Sequence, residues 1–445
     1  MSGSGAILTD ARRRRQYRYL AMAAAITVPG VIISRLHTDL PYPLLALIFG
    51  LAIVGAAFLL SWAAEVAQLD ISAGLAIAVL AFIAVLPEYA VDLVFALNGG
   101  EAYAEYGVAC QAPELVGVRE SDCALALANM TGANRLLIGL GWTMVVFVAW
   151  RRYRTVHNRR MESIRLDRAH SVELSFLSVA TVYSLTLPLK SSITLIDSAI
   201  LVAIFIAYML RISKAPAEEP HLVGPAEALG QLPKAGRRAS VIGLFVVAAA
   251  VILLCAEEFA HALVETGADL GISEFFLVQW LAPLASETPE FLVAGLYAYR
   301  LNTNAALGTL VSSKVNQWTL LVGTLPVAFE LAAGSTDGLP IIARQREEVL
   351  LTAAQSFFAV VVLVNLSMSL KEAGALFVLF WTQFFAGAVV PEEHHGTELV
   401  IFAVIYLALG LYVLIGSRRE VPRLFHDGFR ANYAELSSDP KHDPG

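Results

Sequence analysis

The stretch LPEYAVD (86–92) places a proline and two carboxylates inside a run of apolar residues. Glu88 and Asp92 are four positions apart, so on a helix they share one face. In hydrocarbon a buried carboxylate costs about 2.5 kcal/mol or more, and a proline leaves a backbone carbonyl without its helical partner. The stretch SETPE (286–290) repeats the Pro-Glu pair in the second half of the chain. Two such costly stretches indicate a functional site.

The composition is that of a membrane protein. Hydrophobic residues make up 57% and charged residues 16% of the 445 residues, whereas soluble domains carry roughly 25% charged residues. The mean hydropathy is +0.65, and the apolar runs 44–60, 123–148, 193–210 and 399–414 approach or exceed the roughly 20 residues that span a bilayer. We therefore predict an all-α polytopic membrane protein.

The apolar runs predict about 12 transmembrane helices, at 17–34, 42–66, 71–98, 122–149, 170–188, 193–211, 239–264, 273–299, 303–328, 348–368, 371–390 and 396–416. Lys and Arg concentrate in cytoplasmic loops of membrane proteins. With the N-terminus inside, 24 of the 31 Lys and Arg residues fall in inner segments and five in outer segments. We predict that both termini are cytoplasmic and that the first span is retained rather than cleaved as a signal peptide.

The predicted orientation places the 99–121 loop outside, with Cys110 in it and Cys123 just after it. In an oxidising compartment these two cysteines would form a disulfide. The alternative is two ordinary thiols, with Cys123 opening a helix. Cys255 lies in a predicted span, where packing is its expected role.

Most of the predicted spans are apolar, but two regions, 81–142 and 281–324, carry polar residues. Each is a helix interrupted by a Pro-Glu pair and followed by a helix rich in small and amide side chains. In the predicted orientation, the first Pro-Glu helix runs outward and the second runs inward. Inverted repeats with broken helices are the architecture of secondary transporters. The chain has no Walker-type loop for ATP, so we expect a gradient-driven transporter, not an enzyme, with no cofactor.

The two regions resemble the α-repeats of the cation/Ca2+ exchanger superfamily, which includes sodium/calcium and proton/calcium exchangers. In that family each repeat has a Gly-Thr-Ser-Leu-Pro-Glu-like segment followed by an Asn-x-x-Gly-Ser-Asn-like segment. The matching stretches are LPE (86–88) and NMTGAN (129–134) in the first repeat, and SETPE (286–290) and SSKVNQ (312–317) in the second.

The resemblance implies two inverted five-helix repeats, at 42–211 and 239–390, joined by a cytoplasmic linker at 212–238. One additional helix would lie at each end of this core. The N-terminal one falls in the segment 1–41, and the C-terminal one falls in the segment 391–445 together with a cytoplasmic tail.

The resemblance also implies a cation site. Ca2+ takes six to eight oxygen ligands, some of them anionic, and Glu88 and Glu290 would supply carboxylates from opposite repeats. Asp92 and Glu287 are either further acidic ligands or counter-ions of basic residues. The candidate neutral ligands are Ser286, Asn134, Ser313, Asn316 and Gln317.

The chain departs from the family pattern in two basic residues, Arg135 and Lys314. They lie at or beside positions where sodium-coupled members have neutral ligands. An internal guanidinium or ammonium could take the place of a monovalent cation and balance Asp92 or Glu287. Fewer ions would then be transported, or proton coupling through a buried carboxylate would replace sodium coupling.

These observations predict a secondary antiporter that exports Ca2+ in exchange for Na+ or H+ by alternating access. A monovalent cation/H+ exchanger on the same fold is the alternative, because the two basic residues would crowd a divalent site. A channel or a membrane scaffold is the third interpretation, but a scaffold does not need matched acids in both repeats. The expected partners are the lipid bilayer and inorganic cations, not nucleic acid, and the expected location is a prokaryotic inner membrane. The oligomeric state stays open.

Overall fold

The computed structural model describes residues 9–36, 40–70, 86–116, 119–216, 222–391 and 394–436. Nearly all of them are helical, in keeping with the predicted fold class. The α-helices are Asp10–Leu36, Tyr42–Ala67, Leu86–Tyr106, Asp122–Leu136, Thr143–His157, Ser171–Ser184, Leu195–Ile212, Pro225–Gly230, Lys234–Leu270, Glu274–Tyr299, Thr303–Asn316, Val322–Ala333, Ala343–Val362, Leu370–Val389, His395–Ser417, Val421–Phe429 and Tyr433–Leu436. Two π-helical segments, Leu137–Trp142 and Gln317–Leu321, continue two of these helices without a break.

Each of the predicted spans overlaps an observed helix, although residues 71–85 of the third lie outside the described residues. Among the described residues, eight helical stretches are long and apolar enough to cross a bilayer, and this confirms an α-helical polytopic membrane protein. These stretches are Asp10–Leu36, Tyr42–Ala67, Asp122–His157, Arg168–Leu189, Leu195–Ile212, Lys234–Leu270, Ala343–Asn365 and His395–Ser417.

The chain forms two compact units, the first from Met1–Val94 and Ala215–Pro289, the second from Phe95–Lys214 and Glu290–Gly445. Within the first unit, the helix Lys234–Leu270 packs along Tyr42–Ala67. Small residues allow this close approach, as is usual in membranes. A Cβ atom at Gly50, for example, would lie 3.0 Å from the Phe259 ring.

The segment predicted as a linker, 212–238, is partly helical. It contains the short helix Pro225–Gly230, and the long helix after it begins at Lys234, before the predicted start at 239. Within the first unit, the backbone N–H of Val223 donates to Glu65 (2.9 Å), and Arg12 pairs with Glu227 (2.8 Å). These contacts hold the linker against the first two helices.

Within the second unit, short antiparallel strand pairs join loops of the two predicted repeats. Ser163–Arg165 pairs with Ser367–Ser369, and Ser192–Ile193 pairs with Leu339–Pro340. The helix Ala343–Val362 packs against His395–Ser417. The second unit therefore combines segments from both halves of the chain.

The residues after the last long helix were predicted as a cytoplasmic tail, and part of them is folded. The helix Val421–Phe429 packs on Ser171–Ser184 within the second unit. The Arg168 guanidinium donates to Asp427 (3.0 and 2.9 Å), and the Ser175 hydroxyl donates to the Leu424 carbonyl (3.1 Å). These contacts hold the helix Val421–Phe429 against the helix Ser171–Ser184.

The cysteines of the predicted outer loop form a disulfide. Cys110 and Cys123 are bonded, with their Cα atoms 5.8 Å apart. The alternative of two ordinary thiols is therefore wrong. Cys255 is a buried free thiol, in agreement with a packing role.

Candidate functional site

The two carboxylates of the opening stretch are buried in one helix. Glu88 and Asp92 lie in Leu86–Tyr106 and are 4% and 1% exposed. They are four positions apart, so they lie on one face of the helix, as the sequence predicts. Acids buried in this way are costly, which favours a functional role over a structural one.

The second Pro-Glu stretch lies in an unbroken helix. The structure is helical from Glu274 to Tyr299, through both Pro283 and Pro289. The predicted interruption at Pro289 is therefore wrong, because a proline removes only one N–H donor and the neighbouring turns hold the helix together. The corresponding prediction at Pro87 depends on residues 71–85, which lie outside the described residues.

Ser286 and Glu287 of this stretch are buried. The Ser286 hydroxyl donates to the backbone carbonyls of Ala282 (3.3 Å) and Pro283 (3.2 Å). A hydroxyl that gives its hydrogen to the backbone turns its oxygen lone pairs away from that carbonyl, so it can serve as a neutral cation ligand. The role of Ser286 as a cation ligand stays a prediction.

Glu290 and Ser313 are brought together in the second unit. The Ser313 side chain hydrogen-bonds to the Glu290 carboxylate. The carboxylate oxygen Oε2 is buried and has no hydrogen-bond partner among the described residues. An ionised carboxylate oxygen only accepts, so a buried one needs a donor, a proton or a metal cation. This oxygen is suited to bind a cation or a proton.

Lys314 and Asn134, two further predicted residues, bind each other. The Lys314 ammonium donates to the backbone carbonyl of Asn134 (2.8 Å) and to its side-chain oxygen Oδ1 (2.6 Å). It also lies 4.9 Å from the centre of the Trp318 ring. Both Lys314 and Asn134 are fully buried. Asn134 was predicted as a ligand of the transported ion, and in the structure it binds the ammonium group of Lys314.

The other predicted amides, Asn316 and Gln317, are also buried, with 4% and 0% exposure. They lie at the junction between the helix Thr303–Asn316 and the π-helical segment Gln317–Leu321. The first repeat has the same arrangement, with Asp122–Leu136 followed by the π-helical segment Leu137–Trp142. Segments of this kind are rare and occur frequently at functional sites.

Arg135 belongs to a buried hydrogen-bond network that was not predicted from the sequence. Its guanidinium pairs with Glu348 (2.6 Å) and also donates to the Gln383 side-chain oxygen. The Gln383 amide in turn donates to Glu398 (3.1 Å). Gln383 and Glu398 lie within predicted spans, and Glu348 opens another, where polar residues are expected to face the protein interior. That rule could have identified all three as partners of a basic residue.

Within the part of the chain that the structure describes, no group of three or more His, Cys, Asp or Glu side chains is placed to hold a metal ion. A cation ligand set built from these residues therefore needs neutral oxygens as well as carboxylates. Ser286, Ser313 and the buried amides are residues of that type.

A family model described as "Sodium/calcium exchanger protein" matches residues 41–214 and 240–386. The chain belongs to this family. The two matched regions coincide closely with the predicted repeats at 42–211 and 239–390. The chain is therefore an integral membrane protein of an exchanger family.

Solved structures agree with this assignment. The chain is similar to a crystal structure titled "H+/Ca2+ Exchanger CAX", with 39% identity, a TM-score of 0.84, and coverage of 95% of this chain and 100% of that one. It also shares its fold with native YfkE (16% identity, TM-score 0.55, covering 88% and 99%). A structure titled as the selenium-substituted Ca2+/H+ antiporter YfkE gives 15% identity, a TM-score of 0.58, and coverage of 83% and 99%. A search of curated proteins finds no match.

Proposed function

We propose that this family member is a secondary antiporter that exports Ca2+ in exchange for H+ or Na+ by alternating access. The observation that carries the proposal is the Glu290 carboxylate, which is hydrogen-bonded by Ser313 and whose oxygen Oε2 is buried without a described partner. A hard divalent cation prefers such oxygen ligands. The 39% identity to an H+/Ca2+ exchanger over nearly the whole chain supports the same substrate class.

Glu88 and Glu290 are proposed as the carboxylate ligands of the transported cation. Asp92, Glu287 and Ser286 are proposed as further ligands from the Pro-Glu helices, since all three are buried. Ser313, Asn316 and Gln317 would supply neutral oxygens from the second repeat. The proton of an H+-coupled cycle would be carried by one of the same carboxylates when Ca2+ leaves.

We also propose that both termini are cytoplasmic, in a prokaryotic inner membrane. The Arg12–Arg15 cluster and the Lys and Arg residues of the other inner segments support this orientation. The disulfide between Cys110 and Cys123 then lies on the outer side, where the compartment is oxidising.

The experiment is a transport assay with purified protein in vesicles. Radioactive Ca2+ uptake is measured with a pH gradient, with a Na+ gradient, and with neither. We expect Glu290→Gln and Glu88→Gln to reduce uptake at least tenfold, because each keeps the side-chain volume and removes the charge. Glu162→Gln, in an exposed inner loop, is the matched control and should transport normally.

A monovalent cation/H+ exchanger is the second candidate, favoured by the buried Lys314 ammonium, which adds positive charge at the residue that follows the proposed ligand Ser313 in the chain. Na+ flux driven by a pH gradient, without Ca2+ movement under either gradient, would support that candidate and refute Ca2+ antiport. Ca2+ uptake that is unchanged in both glutamine variants would instead refute the assignment of the carboxylate ligands.

A further inference from the structure

The ammonium of Lys314 is coordinated by oxygen atoms in the way a bound monovalent cation would be. Two oxygens of one residue, the carbonyl and Oδ1 of Asn134, lie 2.8 and 2.6 Å from it. The Asn134 amide nitrogen donates to the Met130 carbonyl (2.9 Å), which turns Oδ1 toward the lysine. The Trp318 ring adds a cation–π contact at 4.9 Å. The site is completely buried.

Each of the two residues lies three positions before the π-helical segment of its repeat. The π-helical segment of the first repeat begins at Leu137, three residues after Asn134. That of the second repeat begins at Gln317, three residues after Lys314. One repeat thus offers amide and carbonyl oxygens shortly before its π-helical segment, and the other repeat offers a positive charge that binds them.

This arrangement limits what else can bind. Carbonyl and amide oxygens are suitable ligands for Na+, but those of Asn134 already hold a cation that is covalently attached to the chain. A second monovalent cation at the same place would meet the like charge of the ammonium in a medium of low dielectric constant. Because Lys314 cannot leave with the transported ions, it contributes charge to the site without being exported.

We propose that Lys314 is a built-in monovalent cation that keeps Na+ out of the transport site, so that Ca2+ is exchanged for protons. This inference rests on the proposed Ca2+ antiport and specifies its counter-ion. It identifies Lys314 as the residue that determines the choice of ion and Asn134 as its binding partner.

The test uses wild-type protein and Lys314→Gln in vesicles, with the proposed transport assay. Wild type should take up Ca2+ under a pH gradient and show no uptake above background under a Na+ gradient. Equal Na+ on both sides should leave its pH-driven uptake unchanged. Lys314→Gln replaces the ammonium by an amide like that of Asn134, so we expect uptake driven by Na+ to rise at least tenfold above wild type.

Lys371→Gln is the matched control, because Lys371 is exposed at the start of another helix, and it should behave as wild type. Lys314→Met, which keeps the apolar stem, replaces the glutamine variant if the latter does not fold. If neither variant folds, the wild-type measurements alone test whether Na+ is excluded as the counter-ion.

Ca2+ uptake by wild type under a Na+ gradient would overturn the inference and leave Ca2+ antiport standing. The same holds if folded Lys314 variants transport Ca2+ under a pH gradient without any response to Na+. No Ca2+ movement by wild type under either gradient would overturn the proposed antiport itself, and the choice of counter-ion with it.

Discussion

The buried ion pair between Arg135 and Glu348 leads to a quantitative prediction. Its atoms are 2.6 Å apart, and the two side chains are 2% and 7% exposed. A guanidinium stays protonated in proteins, so Arg135 cannot avoid the loss of its partner by becoming neutral. Removing one member of a buried pair costs about 3–5 kcal/mol, because it leaves an uncompensated charge. We expect Glu348→Gln to lower the free energy of unfolding by that amount.

Replacing both members of this ion pair should lower the free energy of unfolding far less than replacing one of them. In the double variant Arg135→Met/Glu348→Met no buried charge of the pair remains, and such replacements are often neutral or stabilising. The double variant should therefore be more stable than Glu348→Gln. Glu120→Gln is the matched control, since its pair with Arg344 (2.8 Å) is 23% and 32% exposed and should contribute only about 0–1 kcal/mol.

The assay is reversible unfolding in detergent micelles by denaturant, followed by tryptophan fluorescence, since the chain has six tryptophans. Free energies of unfolding are compared for wild type, Glu348→Gln, the single variants Arg135→Met and Glu348→Met, the double variant and the control. A loss below about 1 kcal/mol for Glu348→Gln, or strictly additive losses in the double variant, would refute the reasoning.

Three further predictions concern packing, the disulfide and pH. Gly139→Ala would place a Cβ atom 2.2 Å from Cγ of Phe380, so the free energy of unfolding measured by thermal unfolding should fall by about 1–3 kcal/mol. Gly374→Ala, which has open space around it, is the control and should show no such loss. Reducing the disulfide, which closes a loop with a sequence separation of 13, should cost about 3 kcal/mol in the same assay, and an unchanged melting temperature would contradict this. The hydrogen bond and charge of Arg237 hold the pKa of Asp70 below its usual value. The stability that Asp70 contributes is therefore present above pH ~4 and is lost as the pH falls through the lowered pKa. The melting temperature of Asp70→Asn should therefore fall less than that of wild type between pH ~5 and pH ~3.

Much of the fold could be predicted from the order of the residues. Long apolar runs report membrane spans directly, because each segment must satisfy its own backbone hydrogen bonds in hydrocarbon. The predicted helices therefore overlap observed ones, and the two Pro-Glu stretches locate the regions that the exchanger-family model also matches. The burial of Glu88 and Asp92 follows from the same rule, since an acid in a span is expected to avoid lipid.

The partners of the buried polar residues were decided only by the tertiary structure. The sequence indicates that Arg135 and Lys314 need compensation, but Glu348 lies 213 positions from the first and Asn134 lies 180 positions from the second. The break predicted at Pro289 was also wrong, because packing and the surrounding turns keep that helix intact. Hydropathy is a local property that can be read along the chain, whereas a hydrogen bond depends on which distant helices pack side by side.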